Sequence, residues 1–515
     1  MQREQPQGGS QAHKLAGTHS AQRYGRREFT QRMAALGAGA LLPDAAGGQP
    51  SPAEDRPRAI SRFRVQLPPH RYAAQMLPDS PFGINTQIFR LDAPDIDRHL
   101  AMMQQAGVKW GRQDFTWRQI ETEKGRYNLD PYERIVAAYH KHGLHLFGNL
   151  AYNPKFHDPR TPEGVEAYCR FARAAVERFR GRVDHWQIWN EPNGGFWNGT
   201  PEEYARMAAA AGRAIHEANP NAKVLALNMA FCDLLWAQTV LKLIPYDSFD
   251  IVCYHPYRNP STPEESFDWW TLDRYQKVAL SPWHKGRVPP DYPPIRQSFV
   301  EQTRDLVRLL ETYGRPKPLW ITEMTWNALL AAYGTPELRQ ADLMVRLYIL
   351  ALGTGHVHKI FPWGFRDGGV DQQSGSQMVG MVSSDLTPHY WYYAHAWMAR
   401  MLEGKRWIRN EEWGPRIWAV VFRDDEAGED TVVAWTTDAC AYLRVTNQRG
   451  VRLYDLFGTR REIPYLGRPG EPPDIELSRW TSSPLGTVTV PLSRSPVYIV
   501  GASEMRAVAR PNPGE

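Results

Sequence analysis

Short apolar runs alternate with longer amphipathic stretches between residues 81 and 401, and this rhythm constrains the fold more than any other feature of the chain. Such alternation means βα units around a parallel sheet, because parallel neighbours need a crossover that an amphipathic helix supplies. The strand candidates are Phe82–Asn85, Val108–Arg112, His145–Leu150, His185–Asn190, Val224–Asn228, Phe249–Tyr254, Pro318–Glu323 and Lys359–Trp363. Helical stretches follow them, among them Pro94–Ala106, Gly164–Arg180, Pro201–Asn219, Ser298–Tyr313 and Pro336–Gly353. Thr200-Pro201-Glu202-Glu203 and Thr335-Pro336-Glu337 put a capping hydroxyl before a proline at the first helical position. Ala106-Gly107 and His142-Gly143 carry stop signals, since glycine takes the left-handed conformation that ends a helix. Eight units in roughly 320 residues predict one (β/α)8 TIM barrel over 81–401. A doubly wound open sheet competes, but no glycine-rich turn follows the first strand to hold a dinucleotide.

The pattern changes after Met401. Period-two runs appear at Ile417–Phe422, Thr431–Trp435, Tyr442–Thr446, Val451–Asp455, Thr487–Pro491 and Val497–Val500, separated by turn residues. They predict a small antiparallel β-sandwich-like domain over 402–503, with 504–515 as a disordered tail. Upstream, residues 1–46 read as a twin-arginine signal segment. Arg26-Arg27 is followed by Phe29, by a mild apolar stretch from Met33 to Leu42, and by the small pair Ala45-Ala46. Export of the folded protein to the periplasm or beyond is the expectation. Residues 47–57 read as a linker, and 58–80 as an N-terminal segment whose strand-like Ile60–Leu67 can join the β domain. One loop, Arg258–Arg296, is long and carries Trp269, Trp270, Tyr275, Trp283 and Tyr292, which suits a wall or lid over the barrel mouth.

Composition narrows the function. The net charge of +5 includes six positive and three negative charges in residues 1–46, so the remainder is about +2. A near-neutral body argues against nucleic-acid binding, which needs a basic face. No apolar run reaches the roughly 18 residues that membrane insertion requires. The four cysteines, Cys169, Cys232, Cys253 and Cys440, lack metal-ligand spacing and read as buried thiols. His140-Lys141-His142 sits at a helix end and His356-Val357-His358 enters a strand, so neither makes a closed metal site. No metal or other cofactor is expected. The 19 tryptophans exceed what an ordinary core requires, and a tryptophan-rich cleft suits sugars.

In such barrels the reactive residues sit at the C-terminal strand ends. Those ends supply Arg112 on the second strand, Asn149 with Tyr152 on the third and Asn190-Glu191 on the fourth. His255 and Tyr257 come from the sixth, Glu323 from the seventh and Trp363 from the eighth. Glu191 and Glu323 each follow a run of little charge, where burial and neighbours shift a carboxyl pKa. Strands four and seven lie across the barrel from one another, so their side chains converge over its mouth. Glycoside hydrolysis needs this pair: one acid to protonate the leaving oxygen, one carboxylate to attack the anomeric carbon. Arg112 is a plausible cation to keep Glu323 ionised. A lone Asn-Glu-Pro is a weak signal, and a single strand-end glutamate is more often a surface carboxylate; the combination carries the argument.

The segment Trp186-Gln187-Ile188-Trp189-Asn190-Glu191-Pro192-Asn193-Gly194-Gly195-Phe196-Trp197 resembles glycoside hydrolase clan A, and within it glycoside hydrolase family 39, over roughly residues 80–400. That family includes β-xylosidases, α-iduronidases and exopolysaccharide hydrolases. The resemblance implies Glu191 as acid/base, Glu323 as nucleophile and Asn190 at the sugar 2-hydroxyl. It also implies a retaining double displacement, with carboxyl groups ~5–5.5 Å apart. Gly194-Gly195 departs from the family pattern, where a bulkier residue follows Asn193. Arg112, Asn149, Tyr152, Trp197, His255, Tyr257, Trp326 and Trp363 are the remaining candidates for binding an oligo- or polysaccharide. Trp363 reads as a sugar platform, whereas Trp197, Trp326 and Phe196 are divided between subsite and packing. Two competing readings are a catalytically silent carbohydrate-binding protein on the same barrel, and an interaction module whose β domain contacts a cell-wall polymer. The presence of both glutamates favours the enzyme.

Overall fold

The structure is a computed structural model that describes residues 71–72, 75–259, 261–268, 296–327, 337–367, 379–438, 440–446, 451–463, 482–483, 487–502 and 504–508. The twin-arginine segment, the linker, Ile60–Leu67, the Thr335-Pro336 cap and the aromatics between 269 and 295 lie outside the described residues.

Eight parallel strands alternate with eight helices: β1 Gly83–Thr86, α1 Ala93–Gln105, β2 Trp110–Thr116, α2 Asp130–Lys141, β3 His145–Ala151, α3 Pro162–Arg178, β4 His185–Ile188, α4 Pro201–Ala218, β5 Lys223–Ala230, α5 Leu234–Leu241, β6 Ile251–His255, α6 Phe299–Glu311, β7 Leu319–Ile321, α7 Glu337–Leu352, β8 Val357–Ile360 and α8 Tyr390–Leu402. The strands pair in sequence order from β1 to β8. Phe82 bridges Ile360 in parallel, and the Asn85 N–H donates to the Pro362 carbonyl (2.9 Å), which brings the two edges together as a TIM barrel. The expected boundaries hold to within a few residues. The largest shift is in β2, which continues to Thr116 and leaves Arg112 mid-strand.

Local chemistry explains the elements. Thr200 and Glu203 form a reciprocal capping box, with Pro201 at the first helical position of α4. The buried face of α4 then runs Tyr204, Ala208, Ala211, Ile215, at helical spacing. Gly107 ends α1 with φ +77°, which a side chain would resist.

Inside the barrel, alternate residues of each strand point inward. Their lower layer is apolar: Trp110, Phe147, Leu225, Ile251, Cys253, Trp320 and Phe361 form one cluster. Lys359 caps this floor, its ammonium 4.6 Å from the Trp110 ring centre and bonded to the Ser80 carbonyl (3.0 Å). Two residues up the same strands the inward row turns polar, to Arg112, Asn149, His255 and Thr322.

The C-terminal domain holds two antiparallel sheets. Its strands are β9 Arg406–Glu411, β10 Ile417–Asp424, β11 Glu429–Thr436, β12 Ala441–Thr446, β13 Val451–Tyr454, β14 Arg460–Ile463, β15 Ser482–Ser483, β16 Thr487–Leu492, β17 Val497–Val500 and β18 Glu504–Val508. The six-stranded sheet runs β9-β10-β11-β17-β13-β14 and the four-stranded sheet β15-β16-β12-β18. Two expectations need correction here. Residues 504–508 are not tail but strand, paired antiparallel with β12 from Thr446↔Glu504 to Tyr442↔Val508. Met505 and Ala507 pack on the sandwich core while Glu504 and Arg506 alternate with them, so the charges masked a period-two strand. The cysteines are not all buried either: Cys440 is exposed and Cys169 only half-buried.

Candidate active site

Arg112 is the centre of the polar layer. It is buried, and its Nη1 donates to Glu323 Oε1 (2.6 Å), its Nη2 to Asn190 Oδ1 (2.7 Å) and its Nε to Gln187 Oε1 (3.3 Å). One guanidinium thus ties β2 to the ends of β4 and β7. Because Arg112 takes the Asn190 amide oxygen, the Asn190 NH2 is turned the other way. Gln187 passes the network on, donating to Asn149 Oδ1 (3.0 Å), and Asn149 donates to Asp114 Oδ1 (2.7 Å). The amide of Asn149 is therefore committed to its neighbours, which makes it a bracket within the site.

Glu191 and Glu323 are both buried, at 5% and 1% exposure, and meet over this layer. An oxygen of each and a ring nitrogen of His255 all lie within 4.8 Å of one another. Tyr257 donates to Glu323 Oε2 (3.0 Å), so each oxygen of Glu323 has one donor. Glu191 Oε1 faces His255 Nδ1 (2.9 Å), and the other ring nitrogen meets Thr322 Oγ1 (3.0 Å). Burial, then the Arg112 charge, hold His255 well below its ordinary pKa, so the imidazole is neutral. Burial and the charge of Glu323 push Glu191 well above the usual carboxyl range, and Arg112 offsets only part of this. Burial, helped by the Asp114 charge, raises Glu323 as well, to about 7, although Arg112 and the Tyr257 hydroxyl offset part of the rise. Glu191 is therefore the member of the pair that keeps its proton, and Glu323 the member that ionises. This trio is the one group with metal-ligand spacing among the described residues. Arg112 already places a fixed positive charge against Glu323, and His255 has both nitrogens engaged, so the trio suits proton chemistry better than a cation.

The backbone at the end of β4 is bent to aim Glu191. Trp189 (φ +64°) and Glu191 (φ +42°) are left-handed, as are Leu227 and Asn228 beside them on β5, where the register slips between Ala226 and Met229. Non-glycine residues in this region cost of order 1 kcal/mol each and persist only where neighbours enforce them. The enforcers are the Asn228 carbonyl, which accepts from the Glu191 N–H (3.1 Å), and Asn193, whose amide exchanges two bonds with the backbone of Ala230 (2.8 and 3.0 Å). Of the two glycines after Asn193, Gly195 faces open space. A Cβ at Gly194 would be in ordinary contact with Glu191, 3.4 Å from its carbonyl oxygen and 4.0 Å from Oε2, and one at Gly195 would meet nothing.

The aromatic candidates divide. Tyr152 is half-buried against Trp189 and Phe196 under the Arg118 guanidinium (5.4 Å), and Trp363 is half-buried at the end of β8. The Trp363 N–H donates to the Met324 carbonyl (2.9 Å), next to the nucleophile candidate. Trp197 and Trp326 are both buried. Trp197 is enclosed, with its indole N–H on the Thr200 carbonyl (3.3 Å), and Trp326 is fully buried, with its own on the Ser261 carbonyl (3.0 Å). Both pack the wall. The two histidine pairs have partners of their own: His142 bonds Asp97 (3.0 Å), His140 the Arg182 carbonyl (3.2 Å) and His358 the His356 carbonyl (2.9 Å). Asp114, Gln187, Asn193 and Thr322 belong to the site and were not among the expected residues. Asp114 was legible as the next inward position after Arg112.

No protein-family model matches the chain, and no curated protein does. Solved structures do match its fold. A family 39 glycoside hydrolase from Bacteroides cellulosilyticus WH2 aligns with a TM-score of 0.67 at 21% identity, over 83% of this chain and 81% of that one. A GH39 β-xylosidase from Caulobacter crescentus aligns at 0.52 and 16% identity, over 84% and 98%. A glycoside hydrolase family 30 subfamily 8 xylanase, Xyn30A, from Clostridium acetobutylicum aligns at 0.52 and 11% identity, also over 84% and 98%. What these enzymes share with this chain at such identities is the fold.

Proposed function

We propose that the chain is a retaining glycoside hydrolase that cleaves O-glycosidic bonds of an oligo- or polysaccharide, with Glu191 as acid/base and Glu323 as nucleophile. One observation carries the reading. Two buried carboxylates from opposite barrel strands approach within 4.8 Å, and their neighbours drive their proton affinities apart. Retaining enzymes hold this pair ~5–5.5 Å apart, whereas inverting ones need ~6.5–9.5 Å to admit a water.

The residues then take roles in sequence. Glu323, ionised beside Arg112, attacks the anomeric carbon while Glu191 gives its proton to the departing oxygen. The glycosyl-enzyme ester forms as the glycosidic bond breaks. Glu191, now anionic, takes a proton from water, and the hydroxide equivalent displaces Glu323. His255, neutral and fixed between Thr322 and Glu191, orients the acid/base through both steps. The Asn190 amide, its oxygen held by Arg112, offers its NH2 to the sugar 2-hydroxyl. The open, exposed position at Gly195 leaves room for a leaving group on the Glu191 side. The β-xylosidase and the xylanase among the structural neighbours make β-xylosides the first substrates to try.

The test uses aryl β-glycosides and plant or bacterial polysaccharides, with product anomers followed by NMR. Retained configuration is expected. Glu323→Ala should lower turnover on every substrate by at least ~10⁴-fold, as loss of a covalent nucleophile does. Glu191→Ala should still cleave a substrate with an activated leaving group in its first step, and azide should restore the second. Inverted product, or equal loss in both variants without azide rescue, overturns the assignment. Sugar binding without any hydrolysis would favour the silent carbohydrate-binding protein.

A further inference from the structure

Tyr257 opens the segment that leaves β6, and this segment is gripped from outside the barrel. Glu264 is buried in it, and its carboxylate accepts from Nε of Arg346 on α7 (2.6 Å) and from the indole N–H of Trp435 on β11 (2.8 Å). The Arg346 Nη2 engages the other oxygen. A carboxylate of the β6 loop is thus clamped between the barrel's outer helix and the C-terminal domain. The grip extends back to Tyr257 through short steps. Arg258, adjacent to it, donates from Nη2 to the carbonyls of Glu265 (2.7 Å) and Gln297 (2.8 Å). The Ser261 N–H returns to the Arg258 carbonyl (2.7 Å). Trp326, three residues beyond Glu323, donates to the Ser261 carbonyl (3.0 Å) and ties the same segment to the end of β7.

We infer that Trp435 and Glu264 are positioning residues, through which the β domain sets the hydrogen bond between Tyr257 and Glu323. The inference rests on the reading of Glu323 as nucleophile. Its physical ground is that a buried carboxylate holds tightly to its donors, because leaving any of them unmatched in a desolvated site is costly. Glu264 cannot shift without releasing Arg346 or Trp435. With Glu264 fixed, Arg258 fixes the start of the segment and hence the Tyr257 hydroxyl. The β domain is then part of the catalytic device, in contrast to a module that binds polymer on its own.

The experiment is kinetic and uses the full chain. Trp435→Phe removes the indole donor and keeps an aromatic, though smaller, ring at this buried position. It should lower kcat on an aryl glycoside by roughly threefold to thirtyfold, the range of coupling through such a network, while KM stays within about a factor of two. Loosening the Tyr257 bond removes a donor to the charged form of Glu323, so the acid limb of kcat/KM should move to higher pH. In a Tyr257→Phe background, Trp435→Phe should add almost nothing, because the bond it acts through is already gone. Glu264→Gln, read in the same cycle, serves if Trp435→Phe fails to fold. An unmoved acid limb, or full additivity with Tyr257→Phe, overturns the positioning role and leaves the nucleophile assignment standing. Absence of hydrolysis by the unsubstituted chain would instead remove the reading on which the inference rests.

Discussion

Glu191 and Glu323 are the same side chain in equal burial, and only their partners make them different. Burial raises both, but Glu323 receives two donors, Arg112 and Tyr257, which favour its anion, whereas the charge of Glu323 adds to burial in favouring the acid form of Glu191. The sign of each shift fixes the shape of the pH profile. Activity should fall on the acid side as Glu323 takes up a proton, and on the alkaline side as Glu191 loses one. The alkaline limb should lie above the ordinary carboxyl range, because burial and the neighbouring charge raise Glu191. Tyr257→Phe should shift the acid limb upward by about one unit, the equivalent of one hydrogen bond to a charged group, and leave the alkaline limb in place. A profile of kcat/KM against pH checks both, and movement of the alkaline limb alone would contradict the assignment of roles. At this scale the convergence of Glu191 and Glu323 with Arg112, His255 and Tyr257 was legible from strand ends. Gln187 and Thr322 were not, since a neutral side chain inside a strand looks the same whether it packs or relays a hydrogen bond. Trp197 and Trp326 stayed divided between subsite and packing because indole rings serve walls and subsites alike, and their burial is what decides it.

Elements position these residues, and the junction of β4 with β5 does most of it. Six left-handed residues cluster here, Trp189 and Glu191 just after β4, Leu227 and Asn228 within β5, and Phe231 and Cys232 just after it, a conformation that neither strand would adopt alone. Asn193 acts there as a third strand would, accepting from the Ala230 N–H and donating to its carbonyl. Asn193→Ala leaves both backbone groups buried without partners, which should destabilise the fold by about 3 kcal/mol. Urea denaturation of the variant measures it, and a loss below ~0.5 kcal/mol would show that the strand ends hold their shape by other means. The existence of β4 and β5 was legible from their apolar runs, and that of α4 from its capping box. The bulge between them was not, because nothing in Leu227-Asn228 demands positive φ; it is imposed by the contacts that Asn193 and Asn228 make once the strands are side by side. Likewise β9 and β18 escaped a reading based on apolar alternation. Their outward positions carry Arg406, Arg409, Glu504 and Arg506, charges that suit an edge strand and hide its period.

Across the whole molecule, the six-stranded sheet of the C-terminal domain has no free face where it meets the barrel. Ala419, Val421, Val432, Ala434 and Ile499 point into the sandwich core, while Val420, Phe422, Val433, Trp435, Tyr498 and Val500 join the same apolar cluster as the barrel helices. Rings of α8 continue this contact, Trp397 against Tyr454 (5.1 Å) and Tyr390 against Phe457 (5.7 Å). Period two along β10 and β11 therefore serves two cores at once. Domains joined by a small polar contact move and melt separately; a shared apolar face of this kind removes that freedom, because neither part can unfold without exposing the other. The barrel and the β domain should consequently unfold in one transition. Urea curves followed by tryptophan fluorescence and by far-UV circular dichroism should share a midpoint. Two separated midpoints would mean that the buried face contributes less than the internal cooperativity of either domain. In that case a bond reaching from Trp435 to the β6 loop would be too loosely anchored to position Tyr257.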